Sequence, residues 1–319
     1  MWKDTKITVV IPCFKVAAHI ESTVRGLPEW IDEIILVNDC SPDKTLDILN
    51  QLALANPKVT VLSNPVNRGV GGAMITGFRH ALQTDTDIIV KMDGDGQMNP
   101  ECLPDLLQPL CDQSAEFSKG NRFNDFQALK NMPACRRIGN LGLSFFIKAA
   151  SGYWEVFDPS NGFIAITKAT LQQIDTTKLA HRYFFESSLL IELYYTGARI
   201  QEVPMPAIYG EEVSNLSVTK TLFGFPPKLA KALVRRIMLS YFICDFSITS
   251  IYILAGLPLF FYGLIYGIVK WIHFASMDVA APTGTVMLAV LPFILGFQML
   301  LSAVQHDIDS KNPFRRNQE

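Results

Sequence analysis

As far as residue 203 the chain alternates short apolar runs with stretches of helical periodicity. Residues 7–11 (Ile-Thr-Val-Val-Ile) and 34–37 (Ile-Ile-Leu-Val) open the series, and 59–62, 88–90, 162–166 and 200–203 continue it. Each run is rich in β-branched and aliphatic residues and bounded by turn formers, which predicts a strand. Amphipathic spacing predicts helices over 17–26, 43–55, 70–82 and 100–110 between them. Near-continuous apolar strands alternating with helices predict an α/β fold, with a mainly parallel sheet covered on both faces. Ligands of such sheets bind beyond the carboxyl ends of the strands.

The pattern changes near residue 237. From there to residue 307 the only charged side chains are Asp245, Lys270, Asp278 and Asp307. Residues 246–269 form an uncharged run of about 24 residues, about 36 Å long as a helix, against a hydrocarbon thickness of about 30 Å. Residues 283–305 form a second run of similar length, and the link between them carries Lys270, Trp271, His273, Asp278 and Pro282. Neither run has the polar stripe of a surface helix, so the pair predicts a two-helix transmembrane hairpin; two buried helices of a soluble domain are the alternative. Neither shows an obvious small-residue stripe, and nothing in the sequence sets an oligomeric state.

Lys220, Lys228, Lys231, Arg235 and Arg236 precede the first run, and Lys311, Arg315 and Arg316 follow the second. Positive flanks place both ends on the cytoplasmic side, in a bacterial inner membrane for preference. The apolar run at 7–11 is too short for a cleavable signal, so the polar body is expected to stay where it is made. The expected organisation is a globular domain over 1–212, a basic interfacial amphipathic segment over 213–240, the hairpin over 241–307 and a cytoplasmic tail over 308–319.

Composition sharpens this picture. Lys and Arg number 28 and Asp and Glu 30, a net charge of −2, so there is no global attraction for a polyanion and no nucleic-acid partner is expected. Cysteines at 13, 40, 102, 111, 135 and 244 form no C-x-x-C pair and read as reduced cytosolic thiols.

Three predicted strands end in polar clusters: Pro12-Cys13-Phe14-Lys15, Asn38-Asp39-Cys40-Ser41-Pro42-Asp43, and Asp93-Gly94-Asp95-Gly96-Gln97. A Gly-rich turn, Asn64 through Gly72, opens the helix after the third strand; it is expected to let backbone approach a ligand and to aim N–H groups at an anion. No P-loop and no G-x-G-x-x-G after the first strand is present. Asp93 and Asp95 can turn inward on one hard cation, Mg²⁺ or Mn²⁺, with Gln97 adding a neutral oxygen. Such an ion keeps positions for diphosphate oxygens and neutralises a nucleoside-diphosphate leaving group. A solvated Asp-Gly turn is the alternative for this motif taken alone.

These motifs, V-I-P-C-F, N-D-C-S-P-D-K-T, N-R-G-V-G-G-A, D-G-D-G-Q and F-D-P-S-N-G-F, resemble those of the family 2 glycosyltransferases over roughly residues 6–210. The resemblance is nearest to the branch of dolichol-phosphate mannose synthases and bacterial polyprenyl-phosphate glycosyltransferases, which often add two C-terminal membrane helices. It implies a GT-A, Rossmann-like domain followed by amphipathic interfacial helices and the hairpin. It also implies that Pro12 and Phe14 line a nucleoside pocket, that Asp39 accepts a hydrogen bond from the base, and that Asp93, Asp95 and Gln97 hold the metal. Arg68 of the Gly-rich turn joins the donor-binding set. Asn38 stands where the family usually has an Asp, and Met98 where it often has a His.

The acceptor side follows from charge. Lys130, Arg136, Arg137 and Lys148 lie between 128 and 150 with no acid, interleaved with Leu141, Leu143, Phe145, Phe146 and Ile147, a pattern suited to a lipid phosphate at a membrane. A solvated face over a core helix is the alternative. By the resemblance, Arg122 matches an arginine that reaches acceptor phosphate, and Arg136 or Arg137 matches a second. A phosphate monoester brings its own ionised oxygen, so a polyprenyl phosphate acceptor needs no general base. The rival is a saccharide or glycolipid hydroxyl in cell-surface polysaccharide synthesis, which needs a carboxylate, Asp158 or Glu186, to take its proton. The expected activity is thus metal-dependent, inverting hexosyl transfer from a nucleotide-diphosphate-sugar at a lipid membrane, with Asp95, Arg122, Asp158 and Glu186 as the catalytic set.

Overall fold

The structure, a computed structural model, describes residues 2–122, 134–206, 218–310 and 312–317; the side chains of 134–141, 218–223, 316 and 317 fall outside that description. The chain forms two compact units, Met1–Leu233 with Phe314–Glu319, and Val234–Pro313.

The first unit alternates as the apolar runs require. Its elements are β1 (Ile7–Cys13), α1 (Ile20–Arg25), β2 (Glu33–Asn38), α2 (Thr45–Ala55), β3 (Val59–Ser63), α3 (Val70–Ala81), β4 (Ile88–Lys91) and α4 (Leu103–Cys111). They continue with β5 (Phe117–Asn121), α5 (Ala134–Ser151), β6 (Ile164–Thr167), α6 (Lys168–Gln173), α7 (Phe185–Tyr194) and β7 (Ile200–Pro204). The strands form one sheet in the order β3-β2-β1-β4-β6-β5-β7. The first four are mutually parallel, β6 runs antiparallel to β4 and β5, and β7 is parallel to β5. The sheet is therefore mostly parallel but mixed.

Residue alternation divides the core. Val10, Ile35, Val37 and Ile89 point to one face, where Phe78 of α3 and Phe185 of α7 cover them. Val9, Ile11, Ile34 and Val90 point to the other, under Ile20 of α1 and Leu103, Leu106 and Leu107 of α4. Strand β5 was not expected, because Phe-Ser-Lys-Gly-Asn has little strand propensity. It forms because β6 and β7 flank it, in register Phe117 with Ile166 and Phe117 with Ile200.

Helix α8 (Val218–Met238) follows. Phe225, Leu229 and Leu233 join the core of the first unit, so part of the apolar face expected at a membrane packs against protein instead. Phe314, beyond the hairpin, sits edge-on to Tyr194 and Tyr195 with ring centroids 5.7 and 5.4 Å away.

In the second unit α9 (Ile248–Ser276) and α10 (Thr283–Asp309) are each long and apolar enough to cross a membrane. They are about 43 and 40 Å long at 1.5 Å per residue. Their outer faces expose Ile265, Trp271, Leu288 and Leu295, an extent of apolar surface that water does not favour. The two helices meet at small residues after all. A methyl group on Gly263 would lie 2.4 Å from the Phe293 nitrogen, and one on Gly296 2.3 Å from the Phe260 nitrogen. Gly256 and Gly263 recur after seven residues, two helical turns, which is why the stripe is inconspicuous in the sequence. At the open end of the hairpin Arg236 donates two 2.8 Å hydrogen bonds to the Asp307 carboxylate, and the Tyr241 hydroxyl donates to the same group.

Candidate active site

Beyond the carboxyl ends of β1, β2 and β4 lies a cavity of about 480 Å³. Pro12, Phe14 and Lys15 arrive from β1, Asp39 from β2, and Asp93 and Asp95 from β4, while Arg182 and Tyr183 close it ahead of α7. The three polar clusters thus converge as a parallel sheet dictates. Asn38 does not line the cavity; its Oδ1 accepts from Ser41 N at 3.1 Å and shapes the turn that follows β2.

Asp39 is buried, and its carboxylate organises the Gly-rich turn. Oδ1 accepts from Asn64 Nδ2 at 2.8 Å and from the Arg68 backbone N–H at 3.0 Å, and Oδ2 accepts from Gly69 N–H at 2.7 Å. The anion met by these N–H groups is therefore the chain's own carboxylate, and Gly72 N–H is spent on the His181 carbonyl. The glycines likewise admit protein: a methyl group on Gly71 would lie 2.1 Å from the Ala180 carbonyl oxygen. This corrects the expectation that these N–H groups meet a ligand's anion, although Asn67, Gly69 and Val70 of the turn do line the cavity. Arg68 is not among the cavity's lining residues.

At the end of β4, Asp93 N–H donates to the Met98 sulfur at 3.2 Å, and Gln97 N–H to Asp95 Oδ1 at 3.0 Å. Gln97 does not line the cavity. Lys91, a single lysine closing an apolar strand, is 1% exposed; its Nζ lies 2.6 Å from Asp93 Oδ1, 3.5 Å from Glu186 Oε1 and 3.2 Å from the Gly162 carbonyl oxygen. Burial pushes the Lys91 ammonium toward deprotonation, but Asp93 and Glu186 outweigh it and hold its pKa above the ordinary lysine value.

Asp93 and Asp95 offer hard oxygen donors on one cavity wall, and among the described residues no hydrogen bond reaches Asp93 Oδ2. Among the described residues no three His, Cys, Asp or Glu side chains gather into a cage. This donor set fits a hard cation that completes its shell with ligand oxygens.

A second charged group adjoins the first. Asp158 is fully buried and takes a two-pronged contact from Arg122, Nε at 2.8 Å and Nη2 at 3.1 Å. Burial favours the neutral acid, but the Arg122 hydrogen bonds and charge, aided by Lys119, hold Asp158 below the usual carboxylate range. Glu202 accepts the backbone N–H groups of Phe157 and Asp158, each at 2.8 Å, and burial raises its pKa. Lys119 is 1% exposed and donates to the Asn161 carbonyl; burial, only partly offset by Asp158 and Glu186, lowers its pKa to about 8.

The structure therefore brings Pro12, Phe14, Asp39, Asp93 and Asp95 to one cavity. It links Glu186 to Asp93 through Lys91, and it pairs Arg122 with Asp158. Arg136 and Arg137 lie on α5, with side chains outside the described residues. Sequence reasoning missed Lys91, Arg182, Tyr183 and Glu202, and it read Lys119 only as a neighbour of Arg122 that favours a lipid acceptor. The available signal was a lysine inside Ile-Ile-Val-Lys and Phe-Ser-Lys-Gly, a costly residue in a buried strand unless acids surround it.

The family model described as Glycosyl transferase family 2 matches residues 8–175. A UDP-N-acetylglucosamine–dolichyl-phosphate N-acetylglucosaminyltransferase of Methanococcus voltae is 34% identical over 235 residues, 70% of this chain and 93% of that protein. An undecaprenyl-phosphate mannosyltransferase of Micrococcus luteus is 30% identical over 209 residues, 65% of this chain and 85% of that protein. Among solved structures, glucosyl-3-phosphoglycerate synthase of Mycobacterium tuberculosis, in complex with Mn²⁺, UDP-glucose and phosphoglyceric acid, shares the fold. Its TM-score is 0.52 at 22% identity, covering 73% of this chain and 79% of that one.

Proposed function

This chain belongs to glycosyl transferase family 2, and from that premise we propose that it moves one sugar from a nucleoside-diphosphate donor to a polyprenyl phosphate, with inversion, at the cytoplasmic face of a membrane. The observation that carries the acceptor assignment is that both candidate bases are already engaged. Asp158 is buried against Arg122, and Glu186 faces Lys91. A hydroxyl acceptor needs one of them free to take a proton. A phosphate monoester brings an oxygen that is ionised at neutral pH. The acceptors named in the two curated relatives, dolichyl and undecaprenyl phosphate, and the two apolar helices support the same reading.

In this reading Phe14 and Pro12 face the nucleoside, and Asp93 and Asp95 hold a divalent ion that offsets charge on the departing diphosphate. Asp39 keeps the turn after β3 in place and so fixes the wall against which the base rests. Arg122, steered by Asp158, stands on the acceptor side with Arg136 or Arg137. Chemistry is then positioning and charge stabilisation of an in-line displacement.

The test is full-length protein incubated with UDP- and GDP-sugars, Mg²⁺ or Mn²⁺, and undecaprenyl or dolichyl phosphate, with mass spectrometry of the lipid. A glycosylated prenyl phosphate is the expected product. Transfer to glycolipid or oligosaccharide hydroxyls with none to prenyl phosphate would overturn the acceptor assignment.

A further inference from the structure

We propose that Lys91 is a positioning residue for the metal site, an internal ammonium that pins one oxygen of Asp93 and thereby presents the other to the cation. The proposal deepens the metal reading above and rests on it. Lys91 ends β4, between β1 and β6 in the sheet, in register with Val10 on one side and Ile164 on the other. Strands on both sides fix its backbone, and its 1% exposure leaves the side chain a narrow choice of paths. Nζ meets three acceptors: Asp93 Oδ1 at 2.6 Å, the Gly162 carbonyl at 3.2 Å and Glu186 Oε1 at 3.5 Å.

That arrangement has a consequence for Asp93. The residue follows the strand by two positions and belongs to a glycine-flanked loop, whose own covalent geometry does little to orient a carboxylate. Oδ1 is held by the ammonium, Oδ2 takes no hydrogen bond among the described residues, and Asp93 and Asp95 both line the cavity. The same ammonium ties Glu186, at the start of α7, to the D-G-D loop, so the element that follows Arg182 and Tyr183 is registered against the metal-binding carboxylates. Hydrogen-bond partners of ligating carboxylates typically change metal affinity by about 10- to 100-fold when removed.

Position can be separated from charge by a second residue. A methyl group on Gly162 would come within 2.3 Å of Lys91 Nζ, the mobile end of a long side chain, and 3.1 Å from Asp93 Oδ2. Gly162→Ala therefore displaces the ammonium but keeps its charge. Lys91→Met removes the charge and keeps the bulk. If Lys91 were only a competing cation, its removal would tighten metal binding.

The experiment is titration of Mn²⁺ alone into full-length wild-type, Lys91→Met, Gly162→Ala and double-variant protein, with free Mn²⁺ read by electron paramagnetic resonance and folding checked by thermal melting. The expected result is an affinity loss of about tenfold or more in each single variant, with no further loss in the double variant, because both act through one ammonium. Unchanged or tighter binding in folded Lys91→Met protein would overturn the positioning role, as would additive losses, which place the effect of Gly162 directly on Asp93. Wild-type protein that takes up no Mn²⁺ would overturn this proposal and the metal reading together.

Discussion

Among the described residues, two buried ionic clusters are built on opposite plans. In the hairpin unit, Arg236 and Asp307 share two 2.8 Å hydrogen bonds, are 3% and 9% exposed, and gain a third bond from Tyr241. In the sheet unit, the cations Lys91, Lys119 and Arg122 serve the acids Asp93, Glu186, Asp158 and Glu202, and Asp95 and Asp39 lie on the cavity beside them. The hairpin pair is matched in charge and geometry, which suits a group whose task is to hold two helices at a fixed register. The site gathers several acids around fewer buried cations and opens into a cavity that Lys15 and Arg182 also line, which under the proposed function suits a cation and a phosphate-bearing ligand. Under the proposed function the same bond type locks in one place and recruits in the other.

The contrast is broken most severely at Asp307. Truncating one partner of a buried pair strands the other, at a cost of about 3–5 kcal/mol. Asp307→Ala is expected to lower the melting temperature strongly, while the protein that stays folded still binds Mn²⁺ and nucleotide. Replacing Arg236 and Asp307 together by Met and Leu is expected to recover most of the loss. A variant with unchanged melting but lost ligand binding would erase the distinction between the clusters.

Asp95→Ala is the mirror experiment. Removing a group that stabilises charge developing in the transition state costs about 10²- to 10³-fold in rate. Sugar transfer should fall by that factor and Mn²⁺ affinity with it, while the melting temperature stays close to wild type because Asp95 is only partly buried on a loop. Loss of folding in this variant would show the D-G-D loop to be structural, and the two clusters would then differ only in degree.

Why one cluster was legible beforehand and the other only in part has a physical basis. Strands β1 to β4 announce themselves because each is a continuous aliphatic run, and the carboxyl-end rule then places Pro12, Phe14, Asp39, Asp93 and Asp95 together. Lys91 and Lys119 were illegible because a lone lysine in a short strand normally reaches solvent; only the neighbours supplied by β6 and residues 157–163 bury them. The partners of Asp39 are mostly backbone N–H groups, which carry no side-chain signature. The pairing of Arg122 with Asp158 joins residues 36 apart in sequence. In the hairpin, length and hydropathy announce the helices, but the glycine contacts depend on which faces meet.

Lys119 offers the finest discrimination, because its surroundings, unlike those of Lys91, fail to compensate its burial. Its pKa falls to about 8, from 10.5 for an unburied lysine. Below pH 8 the folded and unfolded chains both hold the proton, and the cost of the buried ammonium is fully present. Between pH 8 and 10.5 the unfolded chain binds more protons than the folded one, so stability rises with pH, and above 10.5 the cost is gone. The whole excursion is on the order of 3 kcal/mol. Lys119→Met is expected to be the more stable protein near neutral pH and to lose that advantage steadily as the pH approaches 10, as measured by melting in detergent at each pH. Parallel curves for the two proteins would mean that Lys119 is compensated after all, like Arg236 in the hairpin. A curve that converges would show a fold carrying a buried ammonium that Asp158 and Glu186 only partly offset.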